Sequence, residues 1–175
     1  MPDKFNNILP KNLVKLAQKK SLTSVAIVSA HQSTTMKSAK MAFDLNLIDP
    51  IFIGKKDEIL IEAQKIKWDI NKFKIINEFE DYESSNIASK LAKDNQIKVI
   101  VKGNLHTDIL MKSYLKKEYS LLEGKRLSHI WHITTPNNEK PLFITDGALN
   151  VLPRIDVKMH ILSNVVEFSK KIGIL

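Results

Sequence analysis

The sequence predicts an α/β fold, with a mostly parallel sheet flanked by helices and the start of a second α/β domain. Three observations carry this expectation. Short β-branched apolar runs alternate with stretches of helical periodicity from about residue 24 to residue 118. Most of these runs are apolar throughout, the signature of parallel strands covered on both faces. Beyond Gly124 the order changes to two strands, a connector rich in turn formers, and one helix.

The elements follow in order. Ser24-Val25-Ala26-Ile27-Val28-Ser29 reads as a buried strand. Residues 33–45 read as a helix capped by Ser33 or Thr34, with Met36, Ala39 and Phe43 on one face. Pro50-Ile51-Phe52-Ile53-Gly54 is the next strand, and Asp57 caps a helix bearing Ile59, Ala63 and Ile66. Lys74-Ile75-Ile76-Asn77 is a short third strand, and residues 84–95 form a helix with Ile87 and Leu91 inward. Lys98-Val99-Ile100-Val101-Lys102 is a buried strand that stops at Gly103, and residues 107–118 form a helix offering Ile109, Leu110 and Tyr114 to the core. Residues 127–134 and 142–145 read as strands of a hairpin, because the intervening Thr135-Pro136-Asn137-Asn138-Glu139-Lys140-Pro141 is dense in turn residues. The last helix covers 155–171, where Ile155, Met159, Leu162, Val166 and Phe168 keep helical spacing and Gly173 follows as a C-cap. A boundary near residues 122–124 divides the chain into an N-terminal α/β domain, 1–122, and a second domain, 123–175, that is cut short to a hairpin plus a helix.

Composition narrows the function. The chain has 175 residues and no cysteine, so disulfide frameworks and thiolate metal sites are excluded. The first 20 residues lack the apolar core of a secretion signal, and no apolar run reaches the ~20 residues that span a bilayer. A cytoplasmic protein with no membrane partner is expected. The formal charge of +8 calls for an anionic partner. Of 27 basic residues only Arg126 and Arg154 are arginines, and the lysines are spread along the chain. Base reading favours the forked guanidinium, so the charge fits phosphate-bearing small molecules rather than nucleic acid.

Four stretches carry a resemblance. They are Val25-Ala26-Ile27-Val28 with Leu47-Ile48-Asp49-Pro50-Ile51-Phe52-Ile53-Gly54; Val101-Lys102-Gly103-Asn104-Leu105-His106-Thr107; Gly124-Lys125-Arg126-Leu127-Ser128-His129; and Pro141-Leu142-Phe143-Ile144-Thr145-Asp146-Gly147-Ala148-Leu149-Asn150-Val151. In this order and spacing they resemble the phosphate acetyltransferase/phosphate butyryltransferase family, the butyryl branch above all. The resemblance implies transfer of an acyl group between coenzyme A, a substrate here, and inorganic phosphate. It also implies no metal or other cofactor, an isocitrate/isopropylmalate dehydrogenase-like fold of two α/β domains with the active site between them, and a homodimer. The chain departs from the family's pattern in two ways. It stops after the helix ending near Ile172, where family chains continue. Lys112 stands where the family carries a phosphate-holding arginine, and Ser120-Leu121-Leu122-Glu123-Gly124 replaces Gly-Leu-Arg-Thr-Gly. A catalytically silent homologue that binds coenzyme A, phosphate or a partner is therefore the alternative expectation.

The reaction requires an anion cradle, stabilisation of a tetrahedral oxyanion and help for the departing thiolate. Gly103, Asn104 and Thr107 stand where a strand end opens a helix, a geometry that presents backbone N–H groups to an anion. An ordinary strand–turn–helix is the competing reading. Lys112 aligns as the phosphate partner, against the reading of one more solvated lysine. Ser128 and His129 begin a strand and face opposite ways, Ser128 as a hydrogen-bond donor to acyl phosphate and His129 as an acid or base. His132 falls on the Ser128 face, so a two-histidine metal site is not expected. Asp146 and Asn150 follow a strand and are candidates for substrate contact, or for an Asp-capped turn through Gly147. His31, His106 and His160 are read as structural.

Overall fold

The computed structural model describes residues 10–122, 126–135 and 138–174. Helix α1 (Lys11–Gln18), which has no counterpart among the expected elements, precedes β1 (Thr23–Val28), α2 (Ser33–Asp44), β2 (Ile48–Gly54), α3 (Lys56–Lys65), β3 (Ile75–Asn77), α4 (Asp81–Lys93), β4 (Val99–Lys102) and α5 (Thr107–Tyr114). A 3-10 turn (Lys117–Tyr119) leads to β5 (Ile130–Thr135), β6 (Asn138–Thr145) and α6 (Ile155–Lys171). Contacts divide the described chain into two compact units, Gln18–Leu121 and the residues outside it.

In the first unit four parallel strands lie in the order β3-β2-β1-β4. The period of two along β1 sends Val25 and Ile27 to one face and Ala26 and Val28 to the other, and all four are buried. The first face packs with Met36 and Ala39 of α2 and Ile59 and Ala63 of α3. The second packs with Ala88 and Leu91 of α4 and Leu110 of α5. The chain winds outward from β1 through β2 to β3, then crosses to the far side of β1 for β4, and the helices change face with it. A right-handed crossover on a twisted sheet permits no other arrangement.

The largest apolar knot sits on the α2 face. Phe43, Phe52, Trp68 and Phe73 meet edge to face or tilted, with ring centroids 5.1–6.0 Å apart. On the other face α4 presents the buried small residues Ser84, Ser85, Ala88 and Ser89. These let the helix approach closely, and the Ser89 and Ser113 hydroxyls satisfy each other at 3.0 Å.

Several local expectations change. Neither Ser33 nor Thr34 caps α2, since Gln32 holds the N-cap position. Asp57 lies inside the first turn of α3 with Lys55 at the cap, and the Lys56 N–H donates instead to Asn77 Oδ1, 3.0 Å away. The helix at 84–95 starts earlier, at Asp81. β4 is an edge strand rather than a buried one, because only β1 pairs with it and Val99 and Val101 stay exposed. The helix expected over 107–118 breaks at Tyr114 into the 3-10 turn.

The second unit is an antiparallel hairpin with α6. β5 and β6 pair from Ile130↔Thr145 to Thr135↔Asn138, so β6 starts earlier than expected; Gly124 and the hairpin tip at 136–137 lie outside the described residues. Phe143 stands against Phe168 of α6, centroids 6.0 Å apart. The α6 bounds match expectation, and its apolar residues fall on two sides. Ile161, Val165 and Ser169 are buried, whereas Ile155, Met159, Leu162 and Val166 are exposed. The opposite hairpin face, Trp131, Ile133, Leu142 and Ile144, is exposed as well. No described helix is long and apolar enough to cross a membrane.

Removing the ring that Trp68 and Phe73 pack against opens a cavity. Phe52→Ala is expected to lower the unfolding free energy of the first unit by about 3–5 kcal/mol, measured by urea denaturation; a loss under about 1 kcal/mol would contradict this packing.

Candidate functional site

Ligands of open parallel sheets bind beyond the carboxyl ends of the strands, where strand order reverses. Here that point lies between β1 and β4. Ser29-Ala30-His31 leave β1 and Gly103-Asn104 leave β4, and the two turns are bonded together. Gly103 N–H donates to the Val28 carbonyl at 2.8 Å and Asn104 N–H to the Ser29 carbonyl at 2.9 Å. A Cβ on Gly103 would lie 2.4 Å from the Ser29 oxygen and 2.5 Å from that of Val28. Glycine is thus required here for close backbone approach.

Ser29 is the centre of this region. It is buried with φ at +54°, a left-handed conformation that costs a residue with a Cβ free energy. Its N–H donates to the Ile53 carbonyl at 2.8 Å, and its Oγ donates to Asp81 Oδ1 at 2.6 Å. Asp81 opens α4, where the helix dipole favours a carboxylate. His31, read from the sequence as structural, places Nε2 3.3 Å from Asn104 Nδ2. Ser29, His31 and Asp81 therefore adjoin the Gly103–Asn104 turn, and the sequence reading singled out neither Ser29 nor Asp81. The available signal was the polar Ser-Ala-His following a wholly apolar strand, but Asp81 is 52 positions from Ser29 and nothing local links them.

The expected anion cradle is rearranged by these contacts. The N–H groups of Gly103 and Asn104 are spent on the β1 turn, leaving the Asn104 side chain and the first turn of α5, which begins at Thr107, to face a ligand. Lys102 Nζ folds over the turn to the Leu105 carbonyl at 2.8 Å. Lys112 pairs with Asp108 at 3.3 Å, with the two side chains 70% and 64% exposed. Its hydrogen bond is the main cause holding the Asp108 carboxyl below its ordinary range. Beside the crevice, a groove of about 420 Å³ runs between α2 and the edge of β4, lined by Ile27, Thr34, Thr35, Ser38, Val101 and Lys102.

Ser128, His129, Asp146 and Asn150 come together in the second unit. Ser128 and His129 precede β5 instead of beginning it, because the ladder starts at Ile130, so strand alternation does not orient them. Asn164 of α6, another residue missed from sequence, donates from Nδ2 to Ser128 Oγ at 2.9 Å and to the Arg126 carbonyl at 2.8 Å. Asp146 has φ at +53° and exchanges bonds with His129: its N–H donates to the His129 carbonyl at 2.9 Å, and Oδ1 accepts from His129 N–H at 3.1 Å. Oδ2 accepts from both the backbone and the side-chain amide of Asn150, whose side chain also reaches the Leu127 carbonyl. The carboxylate thus clamps the 146–150 turn to the segment before β5. The His129 ring stands edge-on to Trp131, centroids 4.9 Å apart, and its Nδ1 is shielded with no hydrogen-bond partner among the described residues. No group of three or more described His, Asp or Glu side chains could hold a metal ion.

Burial alone would raise the Asp146 carboxyl, but hydrogen bonds from the Asn150 side chain and the backbone of His129, Asn150 and Leu149 hold it below its ordinary range. A carboxyl lowered on folding stabilises the fold above its unfolded value, near pH 4, and loses that contribution as pH falls through the folded value. Acidification below about pH 4 should therefore release the clamp, seen as a titration of the His129 and Asn150 amide shifts by NMR. The titration should vanish in Asp146→Asn; its persistence there would contradict the assignment.

Comparison with known proteins adds ancestry to this geometry. No protein-family model matches the chain. It is 31% identical to the phosphate butyryltransferase of Clostridium acetobutylicum over 97% of its own length and 55% of that protein's. It is 32% identical to the phosphate acetyltransferase of Rickettsia felis over 81% of its length and 41% of that protein's. Among solved structures, a branched-chain phosphotransacylase from Enterococcus faecalis V583 superposes with a TM-score of 0.72 at 25% identity, covering 87% of this chain and 52% of that one. A phosphotransacetylase from Streptococcus pyogenes shares the fold, with a TM-score of 0.76 at 16% identity over 95% of this chain and 60% of that one. The chain spans about half the length of the curated relatives it matches, and over that span it belongs to the phosphate acetyltransferase/phosphate butyryltransferase family.

Proposed function

We propose that the chain carries part of the machinery for acyl transfer between coenzyme A and inorganic phosphate, as a soluble cytoplasmic enzyme of acetyl or butyryl type that needs no metal. The observation that carries this reading is the turn from Gly103 to Thr107 at the strand-order reversal, in a chain 31% identical to a phosphate butyryltransferase over 97% of its length. The isocitrate/isopropylmalate dehydrogenase-like architecture and the division into domains 1–122 and 123–175 belong to the same reading.

The chemistry assigns roles. A phosphate oxygen attacks the thioester carbonyl, a tetrahedral oxyanion forms, and its collapse expels the coenzyme A thiolate. Gly103 shapes the turn, while Asn104, Thr107 and the dipole of α5 hold the phosphate, with Lys112 as a cation that must leave Asp108 to reach it. Ser128 donates a hydrogen bond to a developing oxyanion, and His129 acts as the acid or base of the transfer. Asp146 and Asn150 fix the segment carrying both. Mixing the chain with acetyl phosphate and coenzyme A should consume free thiol and form thioester. Lys112→Arg should raise the rate severalfold, because the guanidinium fork grips phosphate through two parallel bonds. A folded chain without turnover would favour a second reading, a silent homologue that binds phosphate, coenzyme A or a partner; the engagement of Lys112 by Asp108 supports that reading.

Self-association as a homodimer completes the proposal. It is supported by the exposed apolar faces of the hairpin and α6. Sedimentation should give a dimer, with Trp131→Glu or Leu162→Glu shifting it toward monomer. A monomer at every concentration would reject it.

A further inference from the structure

All four strands of the sheet converge on Ser29 at their carboxyl ends. β1 runs into it, β2 accepts its N–H at Ile53, the turn after β4 lays the Asn104 N–H on its carbonyl, and the segment after β3 delivers Asp81 to its hydroxyl. Gly54, with φ at +141°, passes so close that a Cβ would meet Ser29 Cα at 3.3 Å. The residue is 1% exposed and held left-handed, where a side chain is normally disfavoured. Strain of this kind persists only where the surroundings enforce it. The enforcing contact is the 2.6 Å hydrogen bond to Asp81, a charge-assisted bond of the stronger class.

We infer that Asp81 and Ser29 are positioning residues: their hydrogen bond fixes the β1 turn and, through the Ser29 carbonyl, sets the orientation of Asn104. This rests on the reading of that turn as the phosphate site. Neither residue need touch the ligand. The Ser29 hydroxyl is committed to Asp81, and its carbonyl to Asn104 N–H. Removing the carboxylate frees Ser29 to relax, and the carbonyl that receives the Asn104 amide then swings with it. Asn104 carries the side chain that faces His31 across the crevice, so the displacement reaches the ligand-facing atoms directly.

The test uses the whole chain in two measurements. Amide hydrogen exchange reports the positioning without ligand. In Asp81→Ala the Asn104 amide, bonded to the Ser29 carbonyl, should exchange at least tenfold faster, while the Ile27 and Ile53 amides keep their protection. In Asp81→Asn, whose carbonyl still accepts from the Ser29 hydroxyl, protection should largely return. Ser29→Gly, which tolerates the left-handed backbone but lacks the hydroxyl, should resemble Asp81→Ala. Titration with inorganic phosphate, followed by the Asn104 and Thr107 amide shifts, then reports function: about tenfold weaker binding in Asp81→Ala and Ser29→Gly, and near-native binding in Asp81→Asn. Unchanged exchange at Asn104 in a folded Asp81→Ala overturns the positioning role whatever phosphate does. Altered exchange with no phosphate response at Asn104 or Thr107 in the native chain keeps the mechanical link and overturns the phosphate reading on which its purpose rests. Altered exchange with native phosphate affinity in the variants shows that the link does not serve binding, and also overturns the inference.

Discussion

The contact between Ser29 and Gly103 constrains everything at the carboxyl edge of the sheet. Two backbones meet there at a separation that no Cβ could share, with a Gly103 Cβ placed 2.4 Å from the Ser29 oxygen. Ser29 turns left-handed at this contact while bonded to Asp81. The bond between β4 and β1 continues past the strands into the loops, so the crevice at the reversal of strand order inherits the rigidity of the sheet. Sites held by rigid elements keep their geometry better than sites on free loops.

That rigidity has a consequence for anion binding. A strand–turn–helix usually offers free N–H groups to a ligand. Here the first two are spent in tying β4 to β1, and Asp108 already occupies the helix start and holds Lys112. The exposed Lys112–Asp108 ion pair contributes little by itself.

The second unit solves a different problem. A hairpin and one helix cannot enclose a core, and its apolar residues are divided between a packed and an unpacked side on both elements. Its order comes instead from a polar clamp, with Asp146 joining the end of β6, the 146–150 turn and the segment before β5. Asn164 adds α6 to the same network through Ser128. Ser128 and His129 are therefore fixed by hydrogen bonds rather than by a strand.

The sequence by itself determined the alternation of strands and helices, because burial on both faces demands unbroken apolar runs such as Val25 to Val28 and because helices repeat every 3.6 residues. It located Gly103, Asn104 and Thr107 at a strand end and the Asp146–Asn150 turn after another, since these depend on neighbours in the chain. It misjudged the caps of α2 and α3, where a distant acceptor such as Asn77 replaces the local side chain. It placed the apolar residues of α6 at helical spacing without saying which stripe packs, because that helix carries apolar residues on two sides and periodicity cannot choose between them. Only the tertiary structure decided that β4 lies beside β1. That placement gathers Ser29, His31 and Asp81 beside the turn after β4, although Ser29 and Asp81 are 52 residues apart. Strand order follows from packing of whole elements against a common core, and no local pattern encodes it.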